Sequence, residues 1–194
     1  MLSSILAKSD CAACKFCCSF RRTSLWETPV FPAANLPKLQ ALNPAAKFRA
    51  AGASGLSYTF DLSDAYKTTD PDEEAPCPFL DPSRGCTLSG ELKPFECKIW
   101  PLRAVRTRET SEADAILENS QISAANPETS QISVALTPTC PAINKGPLER
   151  VRSLAASGLG QQIIDYATEH PDIIKEATPF LSNIIFHEIP GKSE

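Results

Sequence analysis

The chain has no long apolar run, no basic excess and almost no histidine. No stretch approaches the ~20 consecutive apolar residues of a membrane span, so membranes leave the list of expected partners. Lysine and arginine number 19 against 23 acidic residues, for a formal net charge of −4. Without a chain-wide basic field, nucleic acid and anionic lipid are not expected partners either. Only His170 and His187 are present. A metal site built on imidazole therefore has little to draw on, and the reading for each is a helix end or an apolar tail. Met1 to Ala7 has neither a basic start nor an apolar stretch of signal-peptide length. The expected setting is soluble, reducing and cytoplasmic. No internal repeat of useful period is visible.

Against these absences stand eight cysteines in 194 residues. Four of them, Cys11, Cys14, Cys17 and Cys18, fall within eight residues of chain. A free thiol is usually a small buried hydrophobe occurring singly, so such crowding needs a chemical reason. At 42% hydrophobic residues the chain can bury a core without disulfide staples, and in a reducing setting clustered thiols read as metal ligands. The C-x2-C-x2-C spacing lets one tight loop aim three thiolates at a common point, as in the first three ligands of the bacterial ferredoxin run. A second, dispersed set, Cys77, Cys86, Cys97 and Cys140, is available to complete the coordination. Neighbouring Cys17 and Cys18 are expected to project in different directions, so one is a bystander or each faces a different metal.

All-sulfur ligation suits zinc and iron-sulfur equally on softness. The dispersed spacings, with eight and ten residues between Cys77, Cys86 and Cys97, fit a cluster better than the paired knuckles of structural zinc. The expected cofactor is an iron-sulfur cluster of the 4Fe-4S kind, with Zn2+ or Fe2+ as the alternative. Trp100 and Phe95 flank Cys97 and are expected to shield the site. Arg103, Arg106 and Arg108 are read as one solvated strand face, with an anion or acidic-partner site beside the metal as the sharper alternative.

The surrounding chain reads as α+β, a small, loop-rich polycysteine domain over residues 1–145 with a C-terminal helical segment over 146–194 packed on it. Ser3 to Lys8 suits a helical turn. Arg21 to Asn35, with Trp26, Val30 and Phe31, suits an extended segment laying aromatics on a neighbour. Leu36 to Ala51 suggests a helix interrupted near Pro44, its apolar side being Leu39, Leu42, Ala46 and Phe48. Strands are expected at Leu56 to Leu62, Leu102 to Arg108 and Ile132 to Leu136. Thr68 to Pro76 is an acidic loop, Cys77 to Pro101 mostly turns, and Ser111 to Thr129 a polar stretch. Helices follow from Leu148 and from Gln161 to Glu169, with Gly158 stopping the first and Asp172 capping a turn over Ile173 to Ala177.

Cys11-x2-Cys14-x2-Cys17-Cys18, followed by Cys77-Pro78-Phe79-Leu80, Gly85-Cys86, Pro94-x2-Cys97 and Pro101, resembles the bacterial YkgJ-like cysteine-cluster family, described as zinc- or iron-chelating. Leu88-Ser89 stands where that family tends to have an aliphatic-tyrosine pair, and Lys93 and Lys98 stand where arginines are usual. The resemblance implies a metal bound through the cysteines, in a redox-linked or catalytic role. A zinc-stabilised protein-interaction module and a metal donor are the alternatives. Flagellin lysine N-methylases resemble the family in cysteine pattern, which makes cluster-assisted protein lysine methyl transfer a third reading. Gly158-Leu159-Gly160 does not complete a dinucleotide fingerprint and reads as a helix stop. The partner or substrate expected is a protein that these residues do not identify.

Overall fold

The computed structural model describes residues 14–22, 28–52, 54–108, 130–137, 140, 148–177 and 184–187. In chain order these form β1 (Ser19–Arg21), β2 (Phe31–Pro32), α1 (Leu36–Leu42), β3 (Phe48–Ala51), β4 (Ser57–Phe60) and β5 (Glu74–Pro76). There follow β6 (Leu80–Asp81), β7 (Gly85–Cys86), α2 (Phe95–Ile99), β8 (Leu102–Arg108) and β9 (Ser130–Leu136). The C-terminal part supplies α3 (Leu148–Leu154), α4 (Gly160–Glu169), β10 (Lys175–Glu176) and β11 (Ile184–His187). The architecture is α+β with C-terminal helices, as the sequence suggests. The expected Ser3 to Lys8 turn, Trp26 and the Ser111 to Thr129 stretch lie outside the described residues.

Two apolar clusters hold the chain together. In the first, a four-stranded sheet of order β10-β8-β9-β11 carries α4. Gly160, Ile163, Ile164 and Ala167 are the buried stripe of α4, at the spacing that keeps them on one helix face. They meet Leu102 and Ala104 of β8 and Val134 and Leu136 of β9. Fully burying each large aliphatic side chain contributes roughly 1.5–3 kcal/mol. The second cluster is aromatic. Phe60 on β4 lies with ring centroids 5.8 Å from Phe20, 5.1 Å from Phe31, 5.6 Å from Phe48 and 6.0 Å from Phe79. It joins the three-stranded sheet β2-β4-β3 to the antiparallel pair β1-β5.

The strands expected at Leu102 to Arg108 and Ile132 to Leu136 are β8 and the greater part of β9, and β4 falls inside Leu56 to Leu62. Several expectations need correction. The helix from Leu36 ends at Leu42, and Phe48–Ala51 pairs antiparallel with β4 instead. Pro44 cannot donate to a continuing helix and biases its predecessor toward extended backbone, and strand pairing brings Phe48 to Phe31 and Phe60. Leu42, assigned to the apolar side, is 58% exposed. Gly158, at φ 103, does break the helical run as expected, and α4 starts after the kink it makes. Asp172 bonds to the Ser54 hydroxyl, and Lys175–Glu176 pairs parallel with Val105–Arg106. Arg103 and Arg106 do not share a face. Residues three apart on a strand point to opposite sides, so Arg103 is buried while Arg106 reaches Glu176 at 3.4 Å.

Candidate metal centre

The first cysteine loop turns tightly. Lys15 adopts left-handed backbone (φ 54), Phe16–Cys18 makes one 3-10 turn, and the Cys18 N–H donates to the Lys15 carbonyl at 3.0 Å. Chain then becomes extended at Ser19 and enters β1. There Ser19, Phe20 and Arg21 pair with Pro76, Ala75 and Glu74 of β5. The pairing continues one step beyond the strands, where the Cys77 N–H donates to the Cys18 carbonyl at 2.7 Å. Two cysteines 59 positions apart in sequence are thereby fixed side by side in the backbone.

Cys86 joins them through the β6–β7 hairpin, in which Leu80 pairs with Cys86 and the Leu80 N–H donates back to the Cys77 carbonyl at 2.9 Å. Asp81 shapes the hairpin turn. Its carboxylate accepts from the Ser83 hydroxyl at 2.7 Å and from the Ser83 and Arg84 N–H groups at 2.8 and 2.9 Å, which holds it well below the usual carboxylate range. The Lys15 ammonium donates to the Pro82 carbonyl, tying the first loop to this turn. Cys97 comes from α2, where its N–H donates to the Pro94 carbonyl at 3.1 Å. Cys140 is buried just after β9, its N–H 3.5 Å from the Thr137 carbonyl, while the Thr137 N–H bonds Pro101 at 2.9 Å. Cys14 is exposed, and Cys11 lies outside the described residues.

The seven described cysteines are all free thiols. The sulfurs of Cys17 and Cys18, expected to diverge, are 4.0 Å apart. That gap is close to the ~3.8 Å between consecutive α-carbons, so the two side chains run nearly alongside one another. Two thiolates on one tetrahedral ion, each at about 2.3 Å, would sit about 3.8 Å apart.

Burial governs the electrostatics. The Cys77 thiol is pushed up to about 12, by desolvation first and by Cys86 and Cys17 in addition, against the Phe79 N–H. Cys97 is raised further by desolvation, opposed by Arg103 and reinforced by Glu96, Cys17 and Cys77. Cys17 is raised by its contact with Cys18 and then by burial, while Lys93 and Arg103 oppose. Cys17, Cys77, Cys86 and Cys97 thus share one electrostatic neighbourhood. Burial keeps the Cys17, Cys77 and Cys97 thiols protonated without a cation; a bound metal would deprotonate its ligating thiols outright. Among the described residues no group of three or more His, Cys, Asp or Glu side chains is disposed to hold a metal ion. The donor set, soft thiols without histidine beside two basic side chains, suits a soft metal carrying several thiolates.

A buried ion network behind Cys97 has no signature in the sequence. Glu96, 1% exposed, accepts from the Val30 N–H at 2.6 Å and from Arg103 Nη1 at 3.1 Å, with Lys175 Nζ at 3.6 Å. The Arg103 guanidinium lies over the Trp100 ring, 4.7 Å from its centroid. Trp100 therefore backs Arg103, and Phe95 stacks on Tyr166 at 3.9 Å, so each aromatic has a packing partner besides any shielding of Cys97. His170 closes α4 with its ring 4.3 Å from Tyr166. Among the described residues no helix is long and apolar enough to cross a membrane. No protein-family model, no curated protein and no solved structure matches the chain.

Proposed function

We propose that the protein binds a metal centre through its clustered cysteines, with Cys17, Cys18, Cys77, Cys86 and Cys97 at the heart of the ligand set. Cys11, Cys14 and Cys140 are further candidates. The observation that carries the reading is the backbone bond from Cys77 to Cys18, which joins the local and dispersed thiols into one neighbourhood. The preferred occupant is an iron-sulfur cluster in a redox-linked or catalytic role; it would supply one-electron chemistry or a Lewis-acidic iron. Around it the chain's own groups have definite tasks. Arg103 and Lys93 offset thiolate charge, and the aromatic cluster holds β1 against β5. A reducing, cytoplasmic setting goes with this reading, because there the thiols stay available as ligands.

A single zinc or iron ion is the second reading, favoured by the 4.0 Å separation of the Cys17 and Cys18 sulfurs. The protein would then be a zinc-stabilised interaction module or a metal donor. Lysine methyl transfer rests on the resemblance alone. Anaerobic purification with elemental analysis and an absorption spectrum separates these outcomes. Brown protein whose broad visible absorption bleaches with dithionite supports the cluster. Colourless protein with stoichiometric zinc, unfolded by chelation, supports the zinc module. Protein that takes up neither metal after anaerobic reconstitution overturns both.

A further inference from the structure

A cleft of about 150 Å³ opens between the β3–β4 hairpin and the turn that leads into β10. Its lining includes Val30, Arg49, Gly52, Thr59, Asp172 and Lys175, and none of the cysteines. The volume has room for several water-sized groups. Apolar wall comes from Val30 and Ala51, both in the first core cluster.

The charges around the cleft do not cancel. Lys175 has a side chain only 12% exposed, and its nearest acidic partner is Glu96 Oε1 at 3.6 Å. That same oxygen already takes Arg103 at 3.1 Å, and the other carboxylate oxygen takes the Val30 N–H at 2.6 Å. Two cations thus share one carboxylate, leaving a lysine ammonium with three donors and one distant partner. Arg49 adds another cation from β3; among the described residues its guanidinium has no hydrogen bond or ion-pair contact, and it acts on Asp61 only through space. Among the described residues Asp172 is the only acid in the lining, and its carboxylate is engaged by the Ser54 hydroxyl and lies against Gly52. Burial foremost, with Arg103 and Arg49 adding to it against the pull of Glu96, holds the Lys175 ammonium below its ordinary pKa. Within the lining, Arg49 and Lys175 stand against Asp172, which leaves one positive charge in excess.

We propose that this cleft binds a small monocarboxylate, its oxygens between Lys175 and Arg49 and its carbon side against Val30 and Ala51. A monoanion balances the excess charge, whereas Asp172 in the wall repels the second charge of a phosphate dianion. An arginine fork beside a lysine point charge is a donor set suited to a carboxylate. The site is independent of the thiols, so its test stands whatever the metal.

Propionate is the probe, titrated into the full chain and followed by two-dimensional amide NMR, with inorganic phosphate in parallel. Saturating shifts are expected at the Gly52, Thr59 and Lys175 amides. Arg49→Gln, at an exposed position, and Lys175→Met should each weaken binding by roughly tenfold, as expected for the loss of a charge-assisted contact. Retained amide dispersion in Arg49→Gln shows that the fold survives, so that variant decides the matter even if Lys175→Met does not fold. Tighter binding of phosphate overturns the carboxylate assignment. Absence of saturable shifts at tens of millimolar propionate, or an unchanged affinity in a folded Arg49→Gln, overturns the site.

Discussion

The Cys77 amide and the Cys18 carbonyl meet at 2.7 Å, one residue beyond the end of the β1–β5 pairing. The bond converts a sequence coincidence, two cysteine groups far apart in the chain, into a spatial one. It also makes the thiol neighbourhood depend on the aromatic core, because Phe20 follows Cys18 by two residues and Phe79 follows Cys77 by two, and both rings pack on Phe60. Serine preserves size and backbone at each position while removing the soft donor. Cys77→Ser and Cys97→Ser are therefore expected to lower metal content measured by elemental analysis, and to lower the thermal midpoint of metal-loaded protein. Cys17→Ser and Cys18→Ser should do likewise if both sulfurs ligate, and should differ from one another if one is a bystander. Metal content equal to the parent in all four variants would refute the ligand assignment.

Glu96 sits at the crossing of three interactions, and removing its charge leaves two cations facing each other. Glu96→Gln keeps the shape and one acceptor for the Val30 N–H. It abandons Arg103, which is 5% exposed, and Lys175. Breaking one partner out of a buried pair costs about 3–5 kcal/mol. Replacing Glu96, Arg103 and Lys175 together by apolar residues of similar volume should cost much less, since no buried charge is then left unpaired. Urea denaturation midpoints of the two variants make the comparison. A single variant as stable as the parent would mean that the cations find water once the carboxylate is gone.

Much of this was legible in the sequence, for identifiable reasons. β8 and β9 intersperse β-branched residues (Val105 and Thr107, Ile132 and Val134) with polar ones, and their local pattern agrees with their role as strands. The α4 stripe announces itself by helical spacing. Phe48–Ala51 was not legible as a strand, because Leu39, Leu42 and Ala46 set up a helix period that runs up to it, and only contact with Phe31 and Phe60 puts Phe48 in the sheet. Lys175–Glu176 is a two-residue strand held by parallel pairing with β8, which no local signal can supply. The cysteines were legible as a group from their crowding. Their ion network was not, since Glu96 looks like any helix-surface acid until Arg103, seven residues later, turns inward to meet it.

Gly52 and Gly55 share the same backbone φ of +69°, and they differ only in surroundings. A side chain at Gly55 meets nothing within 4 Å, so Gly55→Ala should cost about 1–2 kcal/mol, the penalty of left-handed backbone alone. A β-carbon at Gly52 would stand 1.9 Å from Asp172 Oδ1, which must swing away and release the Ser54 hydroxyl. Gly52→Ala is therefore expected to be the more destabilising of the pair in thermal melts. Adding Asp172→Ala should bring its cost down toward that of Gly55→Ala. Equal melting points for Gly52→Ala and Gly55→Ala would show that Asp172 yields freely.

Glu73 closes the loop that backs β1. Its carboxylate accepts from the Lys67 N–H at 2.6 Å, from the Thr68 N–H and hydroxyl at 2.8 Å each, and from Arg22 at 3.1 Å. These donors, the Lys67 amide foremost, hold the carboxyl down to about 2 against an ordinary value of 4.5. Because the folded pKa lies below the unfolded one, this contribution to stability is fully present above pH 4.5 and is lost as the pH falls toward 2. Glu73→Gln cannot titrate. Its denaturation midpoint should lie below that of the parent near neutrality and converge on it through that acid window. Metal-free protein is the sample to use, since thiolate protonation would otherwise release the metal over an acid range of its own. A constant gap between the two midpoints across the window would show that these bonds survive protonation of the carboxyl, and that the acid sensitivity of the β1–β5 region lies in other groups.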